Sequence, residues 1–182
     1  MNHFLCRGLL WITLGCLAAV WNGAAAEAPA SFPVGGLTFK RPEKWTWVET
    51  SSPMRKAQLA VPGVDGKASG EVVFFHFGPN NGGGTKANVE RWLGQFQEKG
   101  EALKSKVEEV TVRGQSITFV RAHGTYLSGM PGGPKTPMPD TTLLGAIVPG
   151  SEGAVFIRFT GPGALATASE AAFRQMAEAA VP

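Results

Sequence analysis

The chain has 182 residues, of which 43% are hydrophobic and 17% are charged, and its formal net charge is +3. This length suits one domain, and this composition excludes an intrinsically disordered chain and a multi-span membrane protein. Basic residues are adjacent only at Lys40-Arg41 and Arg55-Lys56. The charge pattern therefore also argues against nucleic-acid binding.

Residues 1–26 have the organisation of a secretory signal peptide. Arg7 precedes an apolar run at residues 9–20, which would be about 18 Å long as a helix and too short for a bilayer core of about 30 Å. Three alanines at 24–26 then form a small-residue cleavage site. We predict an exported protein, periplasmic or secreted, with no transmembrane segment after cleavage; a lipid anchor at Cys16 is the alternative.

The part of the chain that follows begins with predicted strands. After a short leader at residues 27–35, the alternating segment 36–40 predicts a half-buried strand, and 45–48 and 54–61 predict two more. Residues 71–77 are apolar on both faces, which is typical of a central strand covered on both sides of its sheet.

Two segments have the apolar period of a helix. Thr85 is a candidate N-cap for the first helix, which we expect to stop at Gly100. The inward face of this helix consists of residues at helical spacing, namely Val89, Trp92, Leu93 and Phe96. Residues 165–181 predict a second helix at the end of the chain.

The segment between these helices predicts two hairpins. Residues 107–113 and 116–127 form the first, and 142–148 and 154–160 form the second. Residues 128–141 contain four prolines and three glycines, so we expect a long loop there. Short hairpins make the sheet mainly antiparallel, so residues 36–182 predict a single α+β domain. Its sheet is flanked by two helices as an α/β/α sandwich.

A family resemblance rests on the two ends of this domain. The opening Gly36-Leu37-Thr38-Phe39 with Pro42 and Trp45, and the closing strand, Gly-Pro and helix, resemble the PsbP/Mog1-like (DcrB-like) α/β/α sandwich superfamily. The likeness covers most of 36–181 and extends to uncharacterised exported bacterial proteins. Members mostly act as binding or assembly modules with differing partners, so the resemblance implies a class of behaviour and no particular substrate.

The first candidate site is a glycine loop before the first helix. A phosphate-binding loop needs Lys directly after Gly and a hydroxyl directly after Lys, and this loop has neither. Free N–H groups at the helix start, assisted by a lysine, still predict a weak anion or small-ligand site. Its residues are Gly82, Gly83, Gly84, Thr85 and Lys86.

The second candidate site is the proline-rich segment 128–141. Proline preorders a backbone and long loops of this kind are often functional, so we predict a surface for an exported protein partner. Its residues are Met130, Pro131, Pro134, Lys135, Pro137 and Met138. Together with His123, the two methionines are also a conceivable Cu(I) site.

Catalytic chemistry has little support in the sequence. His76 lies in an apolar strand and is interpreted as a packed, hydrogen-bonded side chain. Glu108 and Glu109 are neighbours on a strand and point to opposite faces, so they cannot act on one bond together. The sequence has no Gly-x-Ser-x-Gly motif, which would place a serine nucleophile for a Ser-His-Asp triad. We predict no catalytic residue, metal or cofactor.

The sequence thus predicts an exported, non-enzymatic binding or assembly module. One alternative is a carrier of a small ligand or metal. The other is an enzyme whose site lies near residues 76–86 and 123.

Overall fold

The computed structural model describes residues 28–63, 69–130 and 132–182. The predicted signal peptide, Cys16 and Pro131 lie outside these residues. Within them the strands are β1 (Ser31–Val34), β2 (Leu37–Lys40), β3 (Thr46–Trp47), β4 (Ala57–Val61), β5 (Gly70–His76), β6 (Lys104–Val112), β7 (Gln115–Ser128), β8 (Thr136–Val148) and β9 (Val155–Pro162). The helices are α1 (Thr85–Leu93) and α2 (Gly163–Ala179), and a short 3-10 turn spans Gly100–Ala102.

Seven of these strands form one antiparallel sheet in the order β3-β4-β5-β9-β8-β7-β6. The last strand of the chain, β9, lies between β5 and β8, with Glu71 of β5 opposite Thr160 and Leu143 of β8 opposite the same residue. Strands β1 and β2 form a separate hairpin.

The two faces of the sheet are covered by different elements. On one face, α2 and the β1–β2 hairpin enclose the larger core, in which Phe39, Phe74 and Phe173 are almost fully buried. On the other face, Trp92 of α1 and Phe96 pack on β7, β8 and β9. The predicted α+β class, with a mainly antiparallel sheet between two helices, is confirmed.

The predicted leader at 27–35 contains a strand. Residues Ser31–Val34 pair with β2, and Phe32 and Val34 are buried in the larger core. The chain reverses at Gly35 and Gly36, whose φ angles of 57° and 75° favour glycine. The alternation of Phe32 and Val34 is a strand pattern, but Pro33 between them obscures it.

Helix α1 is shorter than predicted, and its caps differ. It ends at Leu93 rather than near Gly100, and Gly84 takes the N-cap position in place of Thr85. Residues after the helix bind β7 instead: the Gln97 N–H donates to the Thr125 carbonyl, and Gln95 accepts from the Leu127 N–H. Sheet-like pairing at 95–97 therefore replaces the last helical turn.

Half of the predicted loop at 128–141 belongs to strands, and the prediction is wrong for that half. Strand β7 continues to Ser128, which lies opposite Thr136 of β8, so only residues 129–135 connect the two strands. Pro137 and Pro139 are tolerated because β9 ends opposite Thr141, and in the described chain this part of β8 pairs on one side only.

No helix of the described residues combines the length and the apolar character needed to cross a bilayer.

Candidate functional site

A groove of about 880 Å³ opens on the α1 face of the sheet, where β5 and β8 begin and β9 ends. Helix α1 covers the opposite half of this face, since Trp92 packs directly on Gly145 of β8. The groove has a polar floor on the sheet and a wall formed by the hairpin between β7 and β8. Its lining includes Arg55, Glu71, Tyr126, Met130, Pro137, Met138, Arg158 and Thr160.

The floor of the groove carries polar atoms without partners. Phe159 points into the larger core, so Arg158 and Thr160 on either side of it face the groove. Arg158 Nε and Thr160 Oγ1 are both inaccessible to solvent, and neither makes a hydrogen bond within the described residues. Buried polar atoms are normally paired, so two unsatisfied polar atoms side by side mark the floor of the groove as an unusual place in the sheet.

One glutamine holds the other groups of the floor in place. Gln95 Oε1 accepts a hydrogen bond from Tyr126 Oη at 2.6 Å and another from an Arg158 terminal nitrogen at 3.1 Å. The Arg158 guanidinium also lies 5.8 Å from the centre of the Phe75 ring. These contacts fix the guanidinium in one orientation before anything binds.

The positive charge of Arg158 has no carboxylate partner in the floor of the groove. Arg55 is paired with Glu71 at 3.1 Å, whereas no carboxylate in the described chain lies within ion-pair distance of Arg158. A cation that is fixed and unpaired in a groove favours a carboxylate or another anion as its ligand.

The wall of the groove is apolar and exposed. Met130 and Met138 keep 77% and 44% of their surface in contact with solvent. Both line the groove, together with Pro137. Flexible methionine side chains adapt to apolar surfaces of different shapes, which suits a binding wall.

The other residues of the predicted partner surface have a different place. Lys135 Nζ donates to the carbonyls of Gly129 and Met130 at 3.1 and 2.6 Å, so it closes the turn of the hairpin. Pro134 lies in the same turn and does not line the groove. Pro131 is outside the described residues.

The glycine loop lies at the opposite end of the sheet from the groove. The buried Asn88 side chain donates to the carbonyls of Gly82 and Gly84 at 2.8 and 3.0 Å, and to that of Gly83. Lys86 extends into solvent beside Glu90, 4.0 Å away. The residues predicted to hold an anion thus form the start of α1, and the structure does not bring them to the groove.

The two histidines outside the predicted signal peptide are far apart. His76 lies at the glycine-loop end, where its Nε2 is 2.9 Å from the Glu152 carbonyl oxygen. His76 lies opposite Val155 of β9, which in turn lies opposite position 148 of β8. His123 lies opposite position 142 of the same strand. At about 3.4 Å per residue these positions are about 20 Å apart, so the predicted enzyme site near 76–86 and 123 does not form as one unit.

His123 lies between a hydroxyl and a carboxylate, as the histidine of a catalytic triad does, but the hydroxyl is not accessible to a substrate. Its Nδ1 is 3.0 Å from Thr142 Oγ1, and its Nε2 is 3.9 Å from Asp140 Oδ1. Thr142 is completely buried, so its hydroxyl cannot reach a substrate. His123 faces α2 near Gly163 and does not line the groove, so the Cu(I) site with Met130 and Met138 is not assembled.

Within the described residues, no three His, Cys, Asp or Glu side chains come together as metal ligands.

A bulge in β7 orients the end of the strand towards the groove. The register shifts between Gly124 and Tyr126, and Glu98 accepts the Thr125 N–H at 2.9 Å beside the shift. This backbone hydrogen bond holds the pKa of Glu98 below its usual value of 4.5. Tyr126, which follows the bulge, reaches Gln95 in the floor.

Sequence reasoning missed the floor of the groove. Arg55, Glu71, Arg158 and Thr160 come from β4, β5, β9 and their flanks, and no local motif joins them. One signal was present, because Arg158 and Thr160 are the polar residues at alternate positions of an otherwise apolar strand.

No protein-family model matches the chain, and no curated protein sequence matches it. A comparison with solved structures finds a similarity to the solution structure of cyanobacterial PsbP (CyanoP) from Synechocystis sp. PCC 6803. The identity is 12%, the alignment covers 86% of this chain and 95% of that chain, and the TM-score is 0.49. This likeness concerns the fold alone.

Proposed function

We propose that this protein is an exported, non-enzymatic binding or assembly module that holds a segment of an exported protein partner in the groove. The observation that carries the proposal is the Arg158 guanidinium, which has no carboxylate partner within the described residues and lies in a groove walled by exposed methionines. Export rests on the signal-peptide pattern of residues 1–26.

The chemistry of the groove defines the segment that it fits. An acidic side chain of the partner would pair with the Arg158 guanidinium. Apolar side chains next to that acid would contact Met130 and Met138. A charge-assisted hydrogen bond combined with an apolar contact gives both orientation and affinity.

Site-specific photo-crosslinking in the native cell tests the location. A photoreactive amino acid replaces Met138 in one variant and Lys86 in another, so each of the two surfaces predicted from the sequence is sampled. We expect one exported protein to crosslink at 138, through a segment with an acidic residue, and none at 86. Crosslinks confined to 86 would reject the groove as the binding site.

Binding measurements with the captured partner test the chemistry. Loss of a hydrogen bond to a charged group costs about 1.5–3 kcal/mol, so Arg158→Gln should raise Kd roughly tenfold or more. Arg121→Gln is the matched control, because Arg121 is an arginine of the opposite face that is paired with Glu170. Equal affinities for the two variants would refute the role of Arg158.

A small organic acid is the second candidate ligand, and the volume of the groove favours it. About 880 Å³ is within the range of roughly 300–1,000 Å³ that is usual for small-ligand sites. Native mass spectrometry of the protein isolated from its own cell distinguishes the two. A stoichiometric small acid that Arg158→Gln removes, without any crosslinked protein, would favour the carrier.

A further inference from the structure

Strand β6 ends the sheet with a long edge. Lys104–Val112 pairs with β7 on one side, and within the described residues nothing pairs with its other side. The opposite edge of the sheet is β3, which has only Thr46–Trp47. An unpaired edge of this length offers a row of N–H and C=O groups to another strand.

The middle of this edge carries an exposed apolar side chain. Val107 is 47% exposed and lies on the face that also holds Ser105 and Glu109. Lys106 and Glu108, on either side of it, lie on the α2 face, where Glu108 binds Arg174. A β-branched residue on an open edge gains from a cross-strand apolar neighbour.

We propose that a second copy of this chain pairs with β6 in antiparallel orientation about a two-fold axis at Val107. A two-fold axis perpendicular to the sheet places one residue opposite its own copy and keeps each face continuous. Axes at Lys106, Glu108 or Glu109 place like charges opposite each other, which is unfavourable. An axis at Val110 leaves only residues 108–112 paired, whereas the axis at Val107 pairs 104–110.

The charges of the edge complement each other in this register. Lys106 of each copy lies opposite Glu108 of the other, so two Lys–Glu pairs flank the Val107 contact. Within one copy, Lys106 Nζ already lies 2.5 Å from Glu108 Oε2. The dimer therefore extends an existing ion-pair network across the axis.

Two charge variants test the register. Lys106→Glu places glutamates at both 106 and 108, and Glu108→Lys places lysines at both positions. Light scattering on the purified protein should show twice the monomer mass for the wild type and the monomer mass for each variant. An equimolar mixture of the two variants should restore the double mass. In the mixed dimer the introduced glutamate of one copy faces the introduced lysine of the other, and the remaining native Glu108 and Lys106 also face each other across the axis.

A second pair of variants does not depend on Glu108, whose contact with Arg174 also supports the fold. Val107→Glu places two glutamates on the axis and should give a monomer. Thr111→Glu changes an exposed residue on the same face of β6 outside the paired segment, and it should remain a dimer. Circular dichroism is the control that shows whether each variant is folded.

Three results would overturn the proposal. The first is a wild type that stays monomeric at its highest soluble concentration. The second is a dimer that survives Val107→Glu, which would place the contact on another surface. The third is a mixture of folded charge variants that stays monomeric, which would exclude this register.

Discussion

Trp92 of α1 packs directly against Gly145 of β8, and this contact predicts a large effect of one methyl group. A Cβ atom added at Gly145 would lie 2.6 Å from Trp92 Cε3 and closer still to Cζ3. Carbon atoms in contact are normally about 3.5–4.0 Å apart, so the indole must move by more than about 1 Å. Gly145→Ala therefore forces α1 away from β8.

The expected cost follows from two opposing effects. Overpacking of a core lowers the free energy of unfolding by about 1–3 kcal/mol. Replacement of glycine restricts the unfolded chain and raises the same free energy by about 0.4–1 kcal/mol. We expect Gly145→Ala to lower the free energy of unfolding by about 1–2 kcal/mol. Urea titration followed by circular dichroism measures this loss.

A matched control and a double-mutant cycle separate the contact from a general glycine effect. Gly133→Ala adds a Cβ that meets only Met130 atoms at 3.6 and 3.7 Å, so its stability should stay within about 0.5 kcal/mol of the wild type. In a Trp92→Leu background the cost of Gly145→Ala should fall, because the smaller side chain leaves room. An undiminished cost in that background would refute the steric explanation.

Two further predictions concern polar contacts around α1. The Thr125 N–H lowers the folded-state pKa of Glu98, so this stabilisation is complete above pH 4.5 and is lost as the pH falls through the folded pKa. Glu98→Gln should therefore weaken the acid dependence of the urea midpoint, and an unchanged acid limb would contradict this. Asn88→Ala removes a buried donor to the glycine loop, so it should cost about 1–3 kcal/mol and speed amide hydrogen exchange at residues 78–84. Asn88→Asp should cost more, because a carboxylate would then face the same carbonyl oxygens; equal losses for the two variants would count against this contact.

The class of fold could be predicted because its signals are local. The apolar strand at 71–77, the period of Trp92 and Phe96, and the short hairpins each fix the type of one element. The boundaries of these elements depend on contacts distant in the sequence. Gln95 and Gln97 leave the helix because β7 binds their backbone groups, and no pattern within 85–100 contains that information.

The candidate site was predicted only on the side where its residues are contiguous. Met130, Pro137 and Met138 stand close together in the sequence, and they line one wall of the groove. The floor joins Arg55, on the flank of β4, with Arg158 of β9. The pairing of β5 with β9 brings them together, so their proximity follows from the order of the strands.

The central position of β9 has a consequence for how the protein reaches its native state. Before β9 is in place, β3–β5 and β6–β8 are two separate small sheets, each with an apolar edge that lacks its neighbour. Pairings such as Glu71 with Thr160 close a long stretch of chain, and such closures are slow. The fold therefore cannot be completed until the C-terminal residues are available. A chain of this design cannot join its two half-sheets while β9 is still being synthesised, so the central strands become buried only at the last stage of folding.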